Sequence, residues 1–241
     1  MKAYIQIDSE GEFHNVNAYV AWVGLKALGF EIEKFEDANT IIDPDKSSIL
    51  VGGIGAVRKH LTNLNLPIPA EIEYPIQLER YLNRKVWKAK LNDLIARQTV
   101  NIFIKPVSTK LFTGKVIRSF SDYIGFNPQE ELEVWCSEVV NIVTEWRCFI
   151  RYGEIFEIRY YKGAWDSIID LVVVNEMIAN YDTQPAAFSL DIGVDDTGKH
   201  YLIEVNDGHS LGTYGIGPIT YAKFLSARWA EMTGTEDWLR F

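Results

Sequence analysis

The stretch YLIEVNDGHSLGTYG, residues 201–215, sets oxygen-bearing side chains into an apolar, strand-like run. Side chains of a strand alternate, so Glu204 and Asn206 share one face. The preceding run AFSLDIGV, with DDTG between the two, reads as the other arm of a hairpin. With the turn centred on Thr197 and Gly198, Asp191 falls opposite Glu204. A slip of one residue would turn Asp191 to the other face. Two carboxylates on one patch repel. A hard divalent cation offsets that repulsion, and Mg²⁺ is the commonest choice where phosphates complete its shell. The other reading is a solvated acidic face. The apolar neighbours Ile192, Leu202, Ile203 and Val205 weigh against it and put Ile203 and Val205 on the core side.

Cations come from three further stretches. NIFIKPV ends on Lys105, with Pro106 stopping the ladder behind it. A lysine there either snorkels from a sheet edge or faces an anion. STKLFTGKV carries Lys110 and Lys115 in a Ser/Thr/Gly loop. Such a loop can fold over phosphates through backbone N–H groups and lysine charge, or simply expose its lysines. In EWRCFIRYGEIFEIRYYKG, alternation puts Glu145, Arg147, Phe149 and Arg151 on one face and Trp146, Cys148 and Ile150 on the other. A guanidinium among apolar residues suits a phosphate or carboxylate; cross-strand ion pairing is the alternative. Arg159 and Lys162 add charge at the end of the next strand.

These residues need scaffolding. KAYIQI reads as a strand, residues 15–28 as a helix closing on Gly29, FEIEKF and SSILVGG as strands, and AVRKHLTNL as a helix. That order predicts a small α/β unit. LNLPIPAEIEYP, with its three prolines, reads as a linker. Residues 78–97 read as one helix. Five strand-like runs then suggest antiparallel sheet. A helix over about 167–181, the hairpin and a last helix over about 218–232 follow.

Composition bounds the partners. The 241 residues are 47% hydrophobic and 24% charged, an ordinary globular balance. A net charge of -9 argues against a nucleic-acid duplex or an anionic membrane as partner. No apolar run approaches the ~20 residues of a membrane span, and the start turns polar too early for a signal peptide. Cys136 and Cys148 are too few for a disulfide framework and read as reduced core residues, giving a cytoplasmic expectation.

In sequence order, IKP, a Thr/Gly-containing hairpin, EVWCSEVV, EWRCFI, SLDIGV and LIEVNDGHSLGTYG resemble the ATP-grasp superfamily of carboxylate–amine ligases over about residues 84–232. The resemblance implies an α+β fold in which antiparallel-sheet subdomains clamp ATP. The ATP-grasp domain would span 81–241, its lid about 98–136, behind a small α/β domain over 1–80. Lys105 would then contact the α- and β-phosphates, with Lys115 or Lys110 above them in the lid loop. Ser137, Glu138, Val139 and Val140 would form the hinge beside adenine, with Glu138 near adenine or ribose. Asp191, Glu204 and Asn206 would hold one or two Mg²⁺ ions. Arg147, helped by Lys162, would stabilise the γ-phosphoryl group or an acyl phosphate. The implied reaction is activation of a small-molecule or peptide carboxylate as acyl phosphate, then attack by an amine, with no general base required. His209 and Ser210 would touch substrate or merely shape a loop.

Two features depart from the pattern: the lid loop holds a single glycine, and the chain is short. Rival expectations are a non-catalytic nucleotide-binding module and a dinucleotide-binding oxidoreductase. The latter is prompted by LVGGIGAV, which lacks the G-x-G-x-x-G spacing.

Overall fold

A computed structural model describes residues 1–107, 111–127 and 131–241. The chain opens with β1 (Lys2–Gln6), α1 (Val16–Ala27), β2 (Glu31–Phe35), β3 (Ile49–Val51) and α2 (Ile54–Asn63), and the strands form a parallel sheet in the order β2-β1-β3. Asn15 caps α1 by accepting the Ala18 N–H at 3.0 Å, and Gly29 follows the helix at φ +83°, as a left-handed stop should.

Residues 78–97 are not one helix. A 3-10 turn over Ile76–Tyr81 leads to β4 (Val86–Lys90) and a short α3 (Leu91–Ala96). Asn83 at φ 53° breaks the helical path. In VWKAK a two-residue period lies hidden among good helix formers. Trp87 and Ala89 pack on the core beneath the sheet, while the Lys88 ammonium reaches Glu73 at 2.7 Å. Pairing with a neighbouring strand outweighs local propensity here.

β5 (Ile102–Pro106), β6 (Lys115–Ile117) and β7 (Glu133–Glu138) complete an antiparallel sheet in the order β4-β7-β5-β6. It begins at Val86. β8 (Ile142–Arg151), β9 (Glu154–Gly163), α4 (Leu171–Asn180), β10 (Ala187–Asp195), β11 (His200–Asp207) and α5 (Pro218–Thr233) follow. The third sheet runs β11-β10-β8-β9. One of its faces covers α4 through Cys148, Ile150, Leu190 and Ile192. The other meets α5 and the N-terminal unit through Phe149 and Ala187. Both cysteines are free and buried, and burial pushes their thiols up to about 11 for Cys136 and about 12 for Cys148. Among the described residues no helix is long and apolar enough to cross a membrane.

α5 does not pack only with the sheet beside it in sequence. Tyr221, Phe224, Leu225 and Trp229 share one core with Tyr4, Ile5, Leu25, Val57 and Leu61 of the N-terminal unit. His60 sits inside this core, between the Tyr4 and Trp229 rings at 5.7 and 5.8 Å. Neither ring nitrogen has a partner among the described residues, and burial pushes the imidazole down to about 4. The unfolded histidine titrates near 6.5. Between those values the unfolded chain binds a proton that the folded chain refuses, so stability is complete above pH 6.5 and falls toward pH 4. His60 alone should contribute about 2 kcal/mol less stability at pH 5 than at pH 7, and urea unfolding of wild type and His60→Phe at the two pH values isolates that share from the opposing one of other groups. His60→Phe should remove that share; an unchanged slope would exclude His60 as its source.

Candidate active site

The β10–β11 hairpin reaches its register by a bulge. Near the turn, Val194 pairs with His200 and Ile192 with Leu202, so a regular ladder would set Asp191 opposite Ile203. The register shifts there, Ile203 is left over, and Asp191 pairs with Glu204. Leu202 and Val205, three residues apart, can then both enter the core. Glu204 and Asn206 share the other face. Ile203, expected on the core side with Val205, is only half-buried, and Leu202 takes its place. On the far side of β10, Asp191 pairs with Arg147 of β8. Cross-strand partners share a face, so Glu204, Asp191 and Arg147 form a row across three strands.

The row is a closed electrostatic circuit. Arg147 grips Asp191 with both prongs, Nε to Oδ1 at 2.7 Å and Nη2 to Oδ2 at 2.6 Å. Its Nη2 also lies 3.9 Å from Glu204 Oε1. Lys105 donates to Glu204 Oε2 at 3.0 Å from the opposing sheet. The Asn206 amide donates to Glu204 Oε1 at 3.2 Å and Asp191 Oδ2 at 3.4 Å. Burial pushes Asp191 up to about 6 although Arg147 pulls the other way. Glu204 is also desolvated, yet the Lys105 charge holds its carboxyl below the usual range. Lys105, desolvated in turn, is raised by Glu204 and Tyr74. Tyr214 stacks over the Arg147 guanidinium at 4.1 Å.

Arg147, Glu204, Asn206 and Lys105 line a cleft of about 1600 Å³ between the two antiparallel sheets and the N-terminal unit. Lys105 pairs opposite Trp135, so both face the cleft. Lys115 pairs opposite Ile104, whose side chain is in the core behind that sheet. Its ammonium bonds the Asp122 carbonyl and lies 4.7 Å from the Phe126 ring centre. The structure thus places Lys115 on the far side of the sheet from Lys105. Lys110 lies outside the described residues. Lys162 pairs with Glu145 and is 70% exposed, beyond the cleft walls. Ser137, Glu138, Val139 and Val140 form the crossing from β7 to β8. The Glu138 carboxylate there accepts the Lys85 N–H at 2.9 Å, and Ser137 is buried with its hydroxyl on the Glu138 carbonyl at 3.0 Å.

The sequence matches a family model, that of the ATP-grasp domain, R2K clade family 2, over residues 81–224. The chain belongs to this family. None of the curated proteins matches it. Among solved structures, the D-alanine–D-alanine ligase from Bacillus anthracis complexed with ATP is similar at TM-score 0.61 and 16% identity, over 98% of each chain. The L-amino acid ligase from Bacillus licheniformis is similar at TM-score 0.60 and 12% identity, over 96% of this chain and 75% of that one. The ATP-grasp ligase PsnB, complexed with a phosphomimetic variant of its minimal precursor, Mg and ADP, is similar at TM-score 0.57 and 13% identity, over 95% and 98%. At such identities the likeness establishes the α+β ATP-grasp fold.

In this ATP-grasp chain the three oxygen-bearing side chains suit a hard cation. The Asn206 amide lies within hydrogen-bond range of both the Asp191 and the Glu204 carboxylate. Each carboxylate oxygen keeps a lone pair beyond those used by Arg147 and Lys105. The Asn206 amide can present oxygen by rotating its terminal torsion. Two cleft residues carry no signal in the sequence pattern. Tyr74, in the proline-rich linker, sets its ring centre 5.0 Å from the Lys105 ammonium and packs edge-on against Trp135 at 4.8 Å. Tyr214 follows β11 with φ 46°. Only folding brings Tyr74 to Lys105 and Tyr214 to Arg147.

Proposed function

We propose that the protein is an ATP- and Mg²⁺-dependent ligase that activates a substrate carboxylate as acyl phosphate for attack by an amine. The observation carrying this reading is that Lys105, Arg147, Glu204 and Asn206 line a single cleft, with Asp191 buried behind them against Arg147 and Asn206. Phosphoryl transfer asks little covalent chemistry of a protein; it asks for in-line positioning and charge neutralisation. Asp191, Glu204 and Asn206 would hold Mg²⁺, which supplies counter-charge to the phosphates. Lys105 changes partner from Glu204 to the α- and β-phosphates. Arg147, locked by Asp191 and backed by Tyr214, keeps Nη1 for the transferring γ-phosphoryl group. Closure of the β4-β7-β5-β6 sheet over the cleft shields the acyl phosphate from water. The ATP-bound and Mg–ADP-bound similar structures support the nucleotide assignment. The similar D-alanine–D-alanine and L-amino acid ligases favour amino acids or short peptides as substrates. The acidic net charge fits a small-molecule partner in the cytoplasm rather than a nucleic-acid duplex.

A phosphate-release screen with ATP, Mg²⁺ and pairs of amino acids or peptides tests the reading. Release that requires both a carboxylate and an amine is expected; release indifferent to both would count against a ligase. Lys105→Ala should weaken ATP binding about 10- to 100-fold, the loss of charge-assisted hydrogen bonds worth about 1.5–3 kcal/mol. Unchanged nucleotide affinity in calorimetry would remove Lys105 from the phosphate site.

A further inference from the structure

The bulge that turns Glu204 toward the cleft is held from outside the cleft. β11 is the edge strand of the β11-β10-β8-β9 sheet, so no strand pairs with its outer side. The turn leading into β4 covers that edge instead. Asn83 Nδ2 donates to the His200 carbonyl at 2.8 Å, and Arg84 Nη1 donates to the Leu202 carbonyl at 2.8 Å. Arg84 Nη1 also reaches the Leu82 carbonyl of its own turn at 3.0 Å, and Nη2 lies 3.5 Å from the Ile203 carbonyl. In a regular strand the carbonyls of successive residues point to opposite edges. Leu202 and Ile203 present theirs to one guanidinium because Ile203 is the residue the ladder leaves over. A planar fork of donors suits two neighbouring acceptors, as a single ammonium does not. Among the described residues Arg84 makes no ion pair and does not line the cleft, so its guanidinium serves backbone rather than nucleotide.

The bulge decides which residue the cleft receives. In the regular ladder that starts at the turn, Asp191 would pair with Ile203 and Leu190 with Glu204. Leu190 lies in the core against α4, so Glu204 would be driven into that core and Ile203 would take its place in the row. With the bulge, Glu204 pairs with Asp191 and meets Lys105 at 3.0 Å. A bulge leaves ladder groups unpaired, and a carbonyl without a donor is costly away from water. Arg84 removes that cost in the bulged register alone. Its own backbone is fixed beside it: Lys85 N–H donates to Glu138 Oε2 at 2.9 Å, and Glu138 N–H donates to the Lys85 carbonyl at 3.1 Å.

We propose that Arg84 is a positioning residue for the metal set: by holding the bulge at Ile203 it keeps the Glu204 carboxylate beside Asp191 and Asn206. This rests on the ligase reading above, in which those side chains would bind Mg²⁺. Arg84 touches neither metal nor nucleotide and acts only through β11.

Calorimetry on the full-length protein tests the role, with the non-hydrolysable ATP analogue AMP-PNP titrated in Mg²⁺ and again in EDTA. The ratio of the two affinities is the metal's contribution. Arg84→Met keeps an apolar stem and removes every donor. It should cut the Mg²⁺ contribution about 10- to 100-fold, the usual effect of losing a group that orients a metal ligand, and leave the affinity in EDTA unchanged. Arg84→Lys, with one donor group but no fork, should fall between Arg84→Met and wild type. Deleting Ile203 makes the ladder regular with Glu204 opposite Asp191, so Arg84→Met added to that chain should leave its Mg²⁺ contribution unchanged. A lower Tm in Arg84→Met with the Mg²⁺ contribution intact would make Arg84 a purely structural residue and overturn the assignment. Equal weakening in Mg²⁺ and in EDTA would overturn it too. Wild type that binds AMP-PNP equally well in both would overturn the metal reading, and Arg84's role with it. If Arg84→Met fails to fold, Arg84→Lys carries the same comparison.

Discussion

Glu204→Ala is expected to lower Mg²⁺-dependent ATP turnover by about 10³-fold or more while the protein stays folded. Counter-charge on transferring phosphates is worth several kcal/mol, and each ~1.4 kcal/mol is a factor of ten in rate. Glu204 is the point where the two cations and the amide of the cleft meet: Lys105 at 3.0 Å, Arg147 at 3.9 Å and Asn206 at 3.2 Å. Removing it takes away a proposed metal ligand and leaves two positive groups facing each other. The fold should tolerate the change. The Lys105–Glu204 pair is part-buried, 23% and 34% exposed, so losing one partner costs stability but less than the ~3–5 kcal/mol of a fully buried pair. Normal turnover in the variant would remove the metal assignment; an unfolded variant, seen as loss of the circular-dichroism melt, would show that Glu204 serves the fold.

Gly24→Ala should destabilise the protein strongly, although helix propensity alone points the other way. In an exposed helix interior alanine is favoured over glycine by about 1 kcal/mol. Here a Cβ would stand 2.0 Å from the Pro218 carbonyl oxygen and 2.5 Å from its carbon, both backbone atoms. Backbone at the start of α5 cannot swing aside as a flexible side chain could, so α1 and α5 must separate. Overpacking of this sort costs about 1–3 kcal/mol, occasionally more. With the contact this short, the upper end applies and the net change is about 2 kcal/mol or more. In a chain of this size that lowers Tm by roughly 4–8 °C. A Tm equal to or above wild type would mean that α1 and α5 do not pack this closely. The same contact holds the N-terminal unit against α5, behind the wall of the cleft.

The chemistry-bearing residues were legible along the chain because strands alternate. Glu204 with Asn206, and the split of Arg147 from Cys148, follow from a two-residue period, and the structure keeps both. The pairing of Asp191 with Glu204 was legible too, but its cause was not. The turn sets a different register, and the bulge at Ile203 restores the pairing. A bulge answers to the core packing of Leu202 and Val205 together, which local pattern does not reveal. β4 stayed hidden for a related reason: Trp87, Lys88 and Ala89 are compatible with a helix until β7 lies beside them.

By itself, then, the sequence determined which residue types share a strand face, where α1 and α5 begin and end, and that acidic and cationic groups recur at strand positions. Those properties depend on neighbours a few residues apart. Only the tertiary structure decided which sheet face each lysine takes, turning Lys105 toward the cleft and Lys115 away from it. It alone carried Tyr74 to Lys105 and Tyr214 to Arg147, joined α5 to the N-terminal core, and set Arg228 on Asp207. These contacts join residues far apart in sequence, and they form because burying the shared core and satisfying its charges outweighs the local preferences of each segment.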